Sequence, residues 1–147
     1  MAAAVFAVFD APARLAGPLA RAGTTLIHGD LWVVNVGLQA DRVVLLDWGL
    51  ATDGSPAFEF ASFLAGCASR VRAGREQIID DFRELCGPHH DEDALRLGLF
   101  GGLVELGWNK ALDVAENHDA AVRVREQADL DWWVGQARTT LDAGLLG

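Results

Sequence analysis

Residues 26–49, LIHGDLWVVNVGLQADRVVLLDWG, decide how this chain is read. Two runs rich in Val and Leu, Val33–Leu38 and Arg42–Leu46, flank Gln39-Ala40-Asp41. Each run is too short for an ordinary helix, so the period ambiguity resolves to a short β-hairpin. Polar residues sit where the runs begin and end: His28-Gly29-Asp30 and Asn35 before the turn, Asp47 after it. A hairpin returns the end of its second strand to the start of its first. The reading therefore expects Asp47 to lie beside the loop that holds Asp30.

The sequence around this stretch reads as helical. Pro12 to about Ala22 has Leu15 and Leu19 at i, i+4 and Gly23 as a stop. Residues 1–10 are apolar and read equally as a helix end or a ragged start. After Asp47-Trp48-Gly49, the cluster Thr52-Asp53-Gly54-Ser55-Pro56 reads as a turn, with Ser55 at the N-cap and Pro56 at N1 of a helix over 56–69. Glu76–Cys86 carries Ile78, Ile79, Phe82, Leu85 and Cys86 on one face and stops at Gly87-Pro88. Asp91 caps a helix over 92–116, striped by Leu95, Leu99, Leu103 and Leu106, with Gly101-Gly102 as a possible kink. A last helix spans 119–142. The fold class is mostly α with a small β-hairpin (α+β). One domain is expected over 1–147, with the loop, hairpin and second Asp in 26–49 and a helical subdomain in 55–147.

Composition narrows the function classes. A chain of 147 residues can bury roughly 70% of its unfolded surface without disulfides or metal. Apolar residues make up 51% and the mean hydropathy is +0.18, which suits a well-buried domain. The formal charge is −9, which argues against nucleic acid or an anionic membrane as partner. An anionic ligand would need a bridging cation or a local cluster of positive charge. Of the 12 basic residues all but Lys110 are Arg. Cys67 and Cys86 form no CxxC pair and read as reduced core thiols. No apolar run reaches the roughly 18 residues of a membrane span. Met1–Phe9 lacks a basic start and is interrupted at Asp10, unlike a secretory leader. The expectation is a cytoplasmic protein with no membrane or nucleic-acid partner.

The polar residues fit one chemistry. HGDLWVVN has the form His-x-Asp-x-x-x-x-Asn, and Asp47 closes the second run. A hydroxyl being phosphorylated needs a carboxylate to orient it and accept its proton. A nucleoside triphosphate needs Mg²⁺, which prefers one or two carboxylates together with phosphate oxygens and water. One Asp for the hydroxyl, then an Asn and a second Asp for metal, covers these tasks.

On these residues the chain resembles the aminoglycoside phosphotransferase/choline kinase-like family of small-molecule kinases, relatives of the protein kinases. The likeness rests on His28-Gly29-Asp30, Asn35, Asp47-Trp48, Gly54-Ser55-Pro56 and Glu59, within residues 26–66. It implies an ATP- and Mg²⁺-dependent transfer to a small-molecule hydroxyl, with Asp30 as the catalytic base. Asn35 and Asp47 would be Mg²⁺ ligands, and His28 and Glu59 would brace the loop. Glu59 stands where the family usually has Asp. Trp32-Val33-Val34 replaces a His-Pro-x type of segment, and Gly49 is closer to the protein-kinase Asp-Phe-Gly pattern.

The resemblance also implies an N-terminal lobe with a strand lysine and a loop over the nucleotide. The residues before Asp30 hold no lysine and no Gly-rich loop. The chain therefore reads as the C-terminal lobe alone, and three accounts stay open. It is part of a longer enzyme, it receives an N-lobe from another chain, or it is a non-catalytic ligand- or partner-binding module that keeps the kinase loop as scaffold. Apolar residues 1–10 would cover the lobe face or promote self-association. His89-His90-Asp91-Glu92-Asp93 reads as a solvated helix start rather than a metal site. Trp48 reads as packing behind the metal loop, and Trp108, Trp132 and Trp133 as core or lobe-surface residues. Gly98, Gly101 and Gly102 read as close helix packing. No motif names the substrate.

Overall fold

The computed structural model describes residues 1–146; Gly147, the end of the expected helical subdomain, lies outside the described residues. The elements run α1 (Ala2–Asp10), α2 (Ala13–Ala22), β1 (Thr25–Ile27), β2 (Val36–Gln39), β3 (Arg42–Leu45), β4 (Thr52–Gly54), α3 (Pro56–Cys67), α4 (Arg75–Cys86), α5 (Glu92–Glu116) and α6 (Ala120–Asp142). The chain is mostly helical with a small amount of sheet, as expected. No single helix among the described residues is long and apolar enough to cross a membrane. Helices α1 and α2 would suffice together, but they meet at 83°.

The core lies where α5 packs between α3 and α6, with α2 against it. Ala61, Leu64, Leu95, Phe100, Trp133 and Ala137 are its most buried apolar members. Close approach is made possible by small residues on both partners. A Cβ at Gly98 would stand 2.4 Å from the Ala57 carbonyl oxygen, and one at Gly101 2.7 Å from the Phe58 ring. A Cβ at Gly102 would meet Trp133 at 3.0 Å. Helix α5 is continuous through these glycines, so they are packing positions rather than a kink. Asp91 caps α5 by accepting from the Asp93 and Ala94 amides at 2.9 and 3.0 Å, a device worth roughly 1 kcal/mol. Arg83 at the end of α4 donates to both Glu92 oxygens at the start of α5. Thr140, fully buried, donates to the Arg96 carbonyl at 2.8 Å and fastens α6 to α5.

Several boundaries differ from the sequence reading. Ala2–Asp10 form a helix, with Val8 buried in the core and Phe6 and Phe9 exposed. The hairpin begins at Val36 rather than Val33, because Val33–Asn35 closes into a 3-10 turn with Asn35 N–H on the Trp32 carbonyl. Its connection is the two residues Ala40-Asp41, with Ala40 at φ 53°, since Gln39 already pairs with Arg42. Thr52–Gly54, expected as a turn, is a strand antiparallel to β1, with Ile27 opposite Thr52 and Thr25 opposite Gly54. Ser55 occupies the N-cap of α3 and is buried, but its side chain makes no capping bond. The last turn assigned to α3 is a separate 3-10 turn over Ala68–Arg70.

Gly98→Ala places its methyl against the α3 backbone, which cannot rotate away as a side chain can. Overpacking of this kind costs about 1–3 kcal/mol. Urea unfolding should show a lower midpoint with an unchanged slope. An unchanged midpoint would show that α3 and α5 are not as close as described.

Candidate functional site

The site is built on the connection from β1 to the hairpin. Strand β1 delivers the chain to His28, and its pairing with β4 fixes where the loop starts. His28 is only 2% exposed and uses both ring nitrogens on the protein itself. Its Nδ1 accepts from the Asp30 amide at 3.3 Å, so the ring proton sits on Nε2, which donates to the Leu46 carbonyl at 2.7 Å. The neutral imidazole thus ties the first loop to the end of β3. Trp48 packs on it at a ring-centroid distance of 4.7 Å and donates through Nε1 to the Leu45 carbonyl. That places Trp48 behind the loop, though 46% of it remains exposed.

Gly29 has φ 80°, and a Cβ there would stand 2.2 Å from the Leu50 carbonyl oxygen. Both facts demand glycine. Its amide donates to Glu59 Oε1 at 2.6 Å, a charge-assisted bond from the loop to the first turn of α3. Glu59, one methylene longer than the expected Asp, therefore reaches the loop.

Asn35 returns to Asp30. Its Nδ2 donates to the Asp30 carbonyl at 2.9 Å and to Asp30 Oδ2 at 3.1 Å. Both partners are acceptors, so the amide nitrogen is the group turned toward Asp30. The Asn35 Oδ1 and the Asp30 Oδ1 are left uncommitted among the described residues. Asp30 and Asn35 are half-buried. Asp47 follows directly after Leu46, whose N–H bonds the Asn35 carbonyl at 2.8 Å. Asp47 sits in the left-handed region at φ 60°, ψ 63°, a conformation that Asp tolerates better than most residues. Its carboxylate is exposed and accepts no hydrogen bond among the described residues. All five residues expected from sequence, His28, Asp30, Asn35, Asp47 and Glu59, thus belong to one bonded assembly or stand next to it.

Sequence reasoning missed the far side of the loop. The Trp32 indole lies on Gly66, where a Cβ would approach it to 2.5 Å. The Val33 N–H donates to the Cys67 sulfur at 3.4 Å. Helix α3 therefore grips the loop at both of its ends. The replacement of His-Pro-x by Trp32-Val33-Val34 was the visible signal, but its partner on α3 had no motif.

The remaining candidates resolve simply. His90 bonds Glu92 at 2.9 Å, and no group of three or more His, Cys, Asp or Glu among the described residues is placed to hold a metal by itself. Trp133 is core, Trp132 stacks on Arg75, and Trp108 is 61% exposed. Both cysteines are free thiols. Lys110 lies on α5 and takes no part in these loop bonds.

A family model described as "Phosphotransferase enzyme family" matches residues 2–97. No curated protein and no solved structure matches the chain.

Glu59→Ala removes the acceptor of the Gly29 amide and should cost about 1–3 kcal/mol. Glu59→Gln keeps an oxygen in place and should cost less. Hydrogen exchange at the Gly29 amide should accelerate strongly in Glu59→Ala and modestly in Glu59→Gln. Equal exchange in all three proteins would remove Glu59 from the loop's support.

Proposed function

The chain belongs to the phosphotransferase enzyme family, and from that premise we propose that it transfers the γ-phosphoryl group of ATP to a hydroxyl of a small molecule. The observation that carries this reading is the Asp30–Asn35 contact. It leaves one carboxylate oxygen and one amide oxygen free on neighbouring side chains, with Asp47 tied to them through Leu46.

Asp30 orients the acceptor hydroxyl with Oδ1 and takes its proton as the new O–P bond forms and the bond to the β-phosphate oxygen breaks. The Asn35 donation to Oδ2 holds the carboxylate plane and keeps its charge on the substrate side. His28 and Glu59 hold the loop backbone and take no part in proton transfer.

The donor set suits Mg²⁺. Asn35 Oδ1 and the exposed Asp47 carboxylate are hard oxygen ligands, too few for a protein-only cage and typical of a metal completed by phosphates and water. A divalent cation held by Asn35 and Asp47 would supply positive charge to offset the charge developing on the transferred phosphoryl group. The Asp47 carboxylate is exposed and has no competing donor among the described residues.

This reading also takes the chain as the C-terminal lobe of a two-lobed enzyme. Support comes from Leu26, Leu46, Trp48 and Leu50, apolar residues flanking the site that are 46–69% exposed.

Mg·ATP should raise the unfolding midpoint of the chain, and ATP with a chelator should not. Asp47→Ala should remove the effect, weakening binding on the order of 100-fold or more, while Asn35→Ala weakens it less. Asp30→Ala should keep the Mg·ATP effect and lose phosphoryl transfer. A chain blind to Mg·ATP would overturn the proposal in favour of a non-catalytic binding module.

A further inference from the structure

The only lysine of the chain is not used by the site described above. Lys110 faces a cavity of about 510 Å³ bounded by the end of α3, the start of α4 and one face each of α5 and α6. Gly66 belongs to its wall, and Gly66 is the residue on which Trp32 rests. The cavity thus shares Gly66 with the seat of the loop that carries Asp30 and Asn35, while no loop residue lines it.

Three features of the cavity point to a negatively charged ligand group. Arg75 and Lys110 both line it, and both pair with the same carboxylate, Asp129. Lys110 has Glu126 as a second partner only at 3.8 Å. Both cations are largely covered, with side chains 24% and 14% exposed. Arg75 is further fixed by its stacking on the Trp132 ring at 4.5 Å.

The second feature is the start of α4. This 12-residue helix begins behind Gly74, which offers no side-chain cap. Its first backbone bond is from the Ile78 N–H to the Gly74 carbonyl, so the amides of Arg75, Glu76 and Gln77 have no acceptor within the helix. Such an end favours an anion. The one acid in the first turn, Glu76, is engaged by the Trp132 indole N–H at 2.8 Å.

The third feature is charge economy. In a chain of net charge −9, an anion needs a local group of cations, and here Lys110, Arg75 and Arg125 share one cavity, interleaved with the carboxylates Glu76, Glu126 and Asp129. Burial lowers the basicity of both Arg75 and Lys110. A further anion beside them would relieve that cost.

We propose that this cavity binds the anionic group, a carboxylate or a phosphate, of the hydroxylated molecule whose hydroxyl reaches Asp30, with Arg75, Lys110 and the open end of α4 as its ligands. Asp129 holds the two cations in place when the cavity is empty and competes with the ligand for them. The link to Asp30 rests on the phosphotransferase reading; the anion site does not.

The test is calorimetric titration of the full chain, without nucleotide, using inorganic phosphate, glycerate and uncharged glycerol. Phosphate or glycerate should bind saturably and glycerol should not; which of the two binds more tightly identifies the anionic group. Lys110→Gln and Arg75→Gln should each weaken binding at least about tenfold, the loss of one charge-assisted contact. Asp129→Asn should tighten it several-fold, an effect that damage to the fold would not produce. Absence of saturable binding by either anion would overturn the proposal, as would unchanged affinity in both cation variants. Binding of ethanolamine that Asp129→Asn abolishes would overturn it too, since the acids would then be the recognition groups. The Mg·ATP effect and its loss in Asp47→Ala are read separately. A chain that shows that effect without anion binding loses only the anion site. A chain that binds anions and ignores Mg·ATP keeps the anion site and loses the phosphotransferase reading.

Discussion

The backbone of one residue, Leu46, holds the site together. The Leu46 N–H bonds the Asn35 carbonyl, and the Leu46 carbonyl accepts from His28. Every candidate side chain is placed relative to this unit. His28 stands two residues before Asp30, Asn35 reaches back to Asp30, and Asp47 is the residue after Leu46. A buried imidazole suits the task better than a longer polar side chain. It offers one donor and one acceptor on a rigid ring, so fixing its tautomer fixes both strands of the connection. Leu46 needs only its backbone for this, so its side chain is free to stay exposed.

Of the two non-glycine residues at positive φ among the described residues, one, Ala40, turns the hairpin and the other, Asp47, lies at the site. Gly29 and Asp47 both have positive φ, and they lie on either side of the Leu46 clamp. Gly29 turns because the Leu50 carbonyl leaves no space for a side chain. Asp47 turns although it has a side chain, at a cost of order 1–3 kcal/mol. The surrounding bonds, from His28, Asn35 and Glu59, over-determine the loop and offset that cost. Strain at an exposed acid that serves no structural bond is a reason to assign it a ligand rather than a capping role.

How legible these features were depended on the distance between partners in sequence. Asp91 as a cap and the span of α5 were readable, because both signals lie within one turn of the helix they define. The hairpin was readable, but its start was not. Val33 and Val34 have strand propensity, yet the Asn35 side chain draws the chain back to Asp30 and imposes a turn on them. Strands β1 and β4 escaped notice because each has only three residues, and the pairing of Leu26 with Asp53 crosses the entire hairpin. Propensity is weak for such strands, which exist through pairing and burial. Gly98, Gly101 and Gly102 were readable as packing residues, but the surfaces they meet on α3 and α6 were not.

Helix α3 joins these separate facts. Its first turn carries Glu59, which holds Gly29, and its last turn carries Gly66 and Cys67, which hold Trp32 and Val33. Those positions are eight residues apart (67 − 59), or about 12 Å along the helix axis. Asp30 and Asn35 therefore sit on a loop pinned at both ends to one rigid rod. The rod is itself set against α5 at Ala57 and Ala61, where glycines allow near contact of the two backbones. Because Lys110 is on that same α5, the spacing between the loop and the charged cavity is fixed by helix packing rather than by a flexible segment. A molecule that spans Asp30 and the cavity would thus be selected by its length as well as its charge.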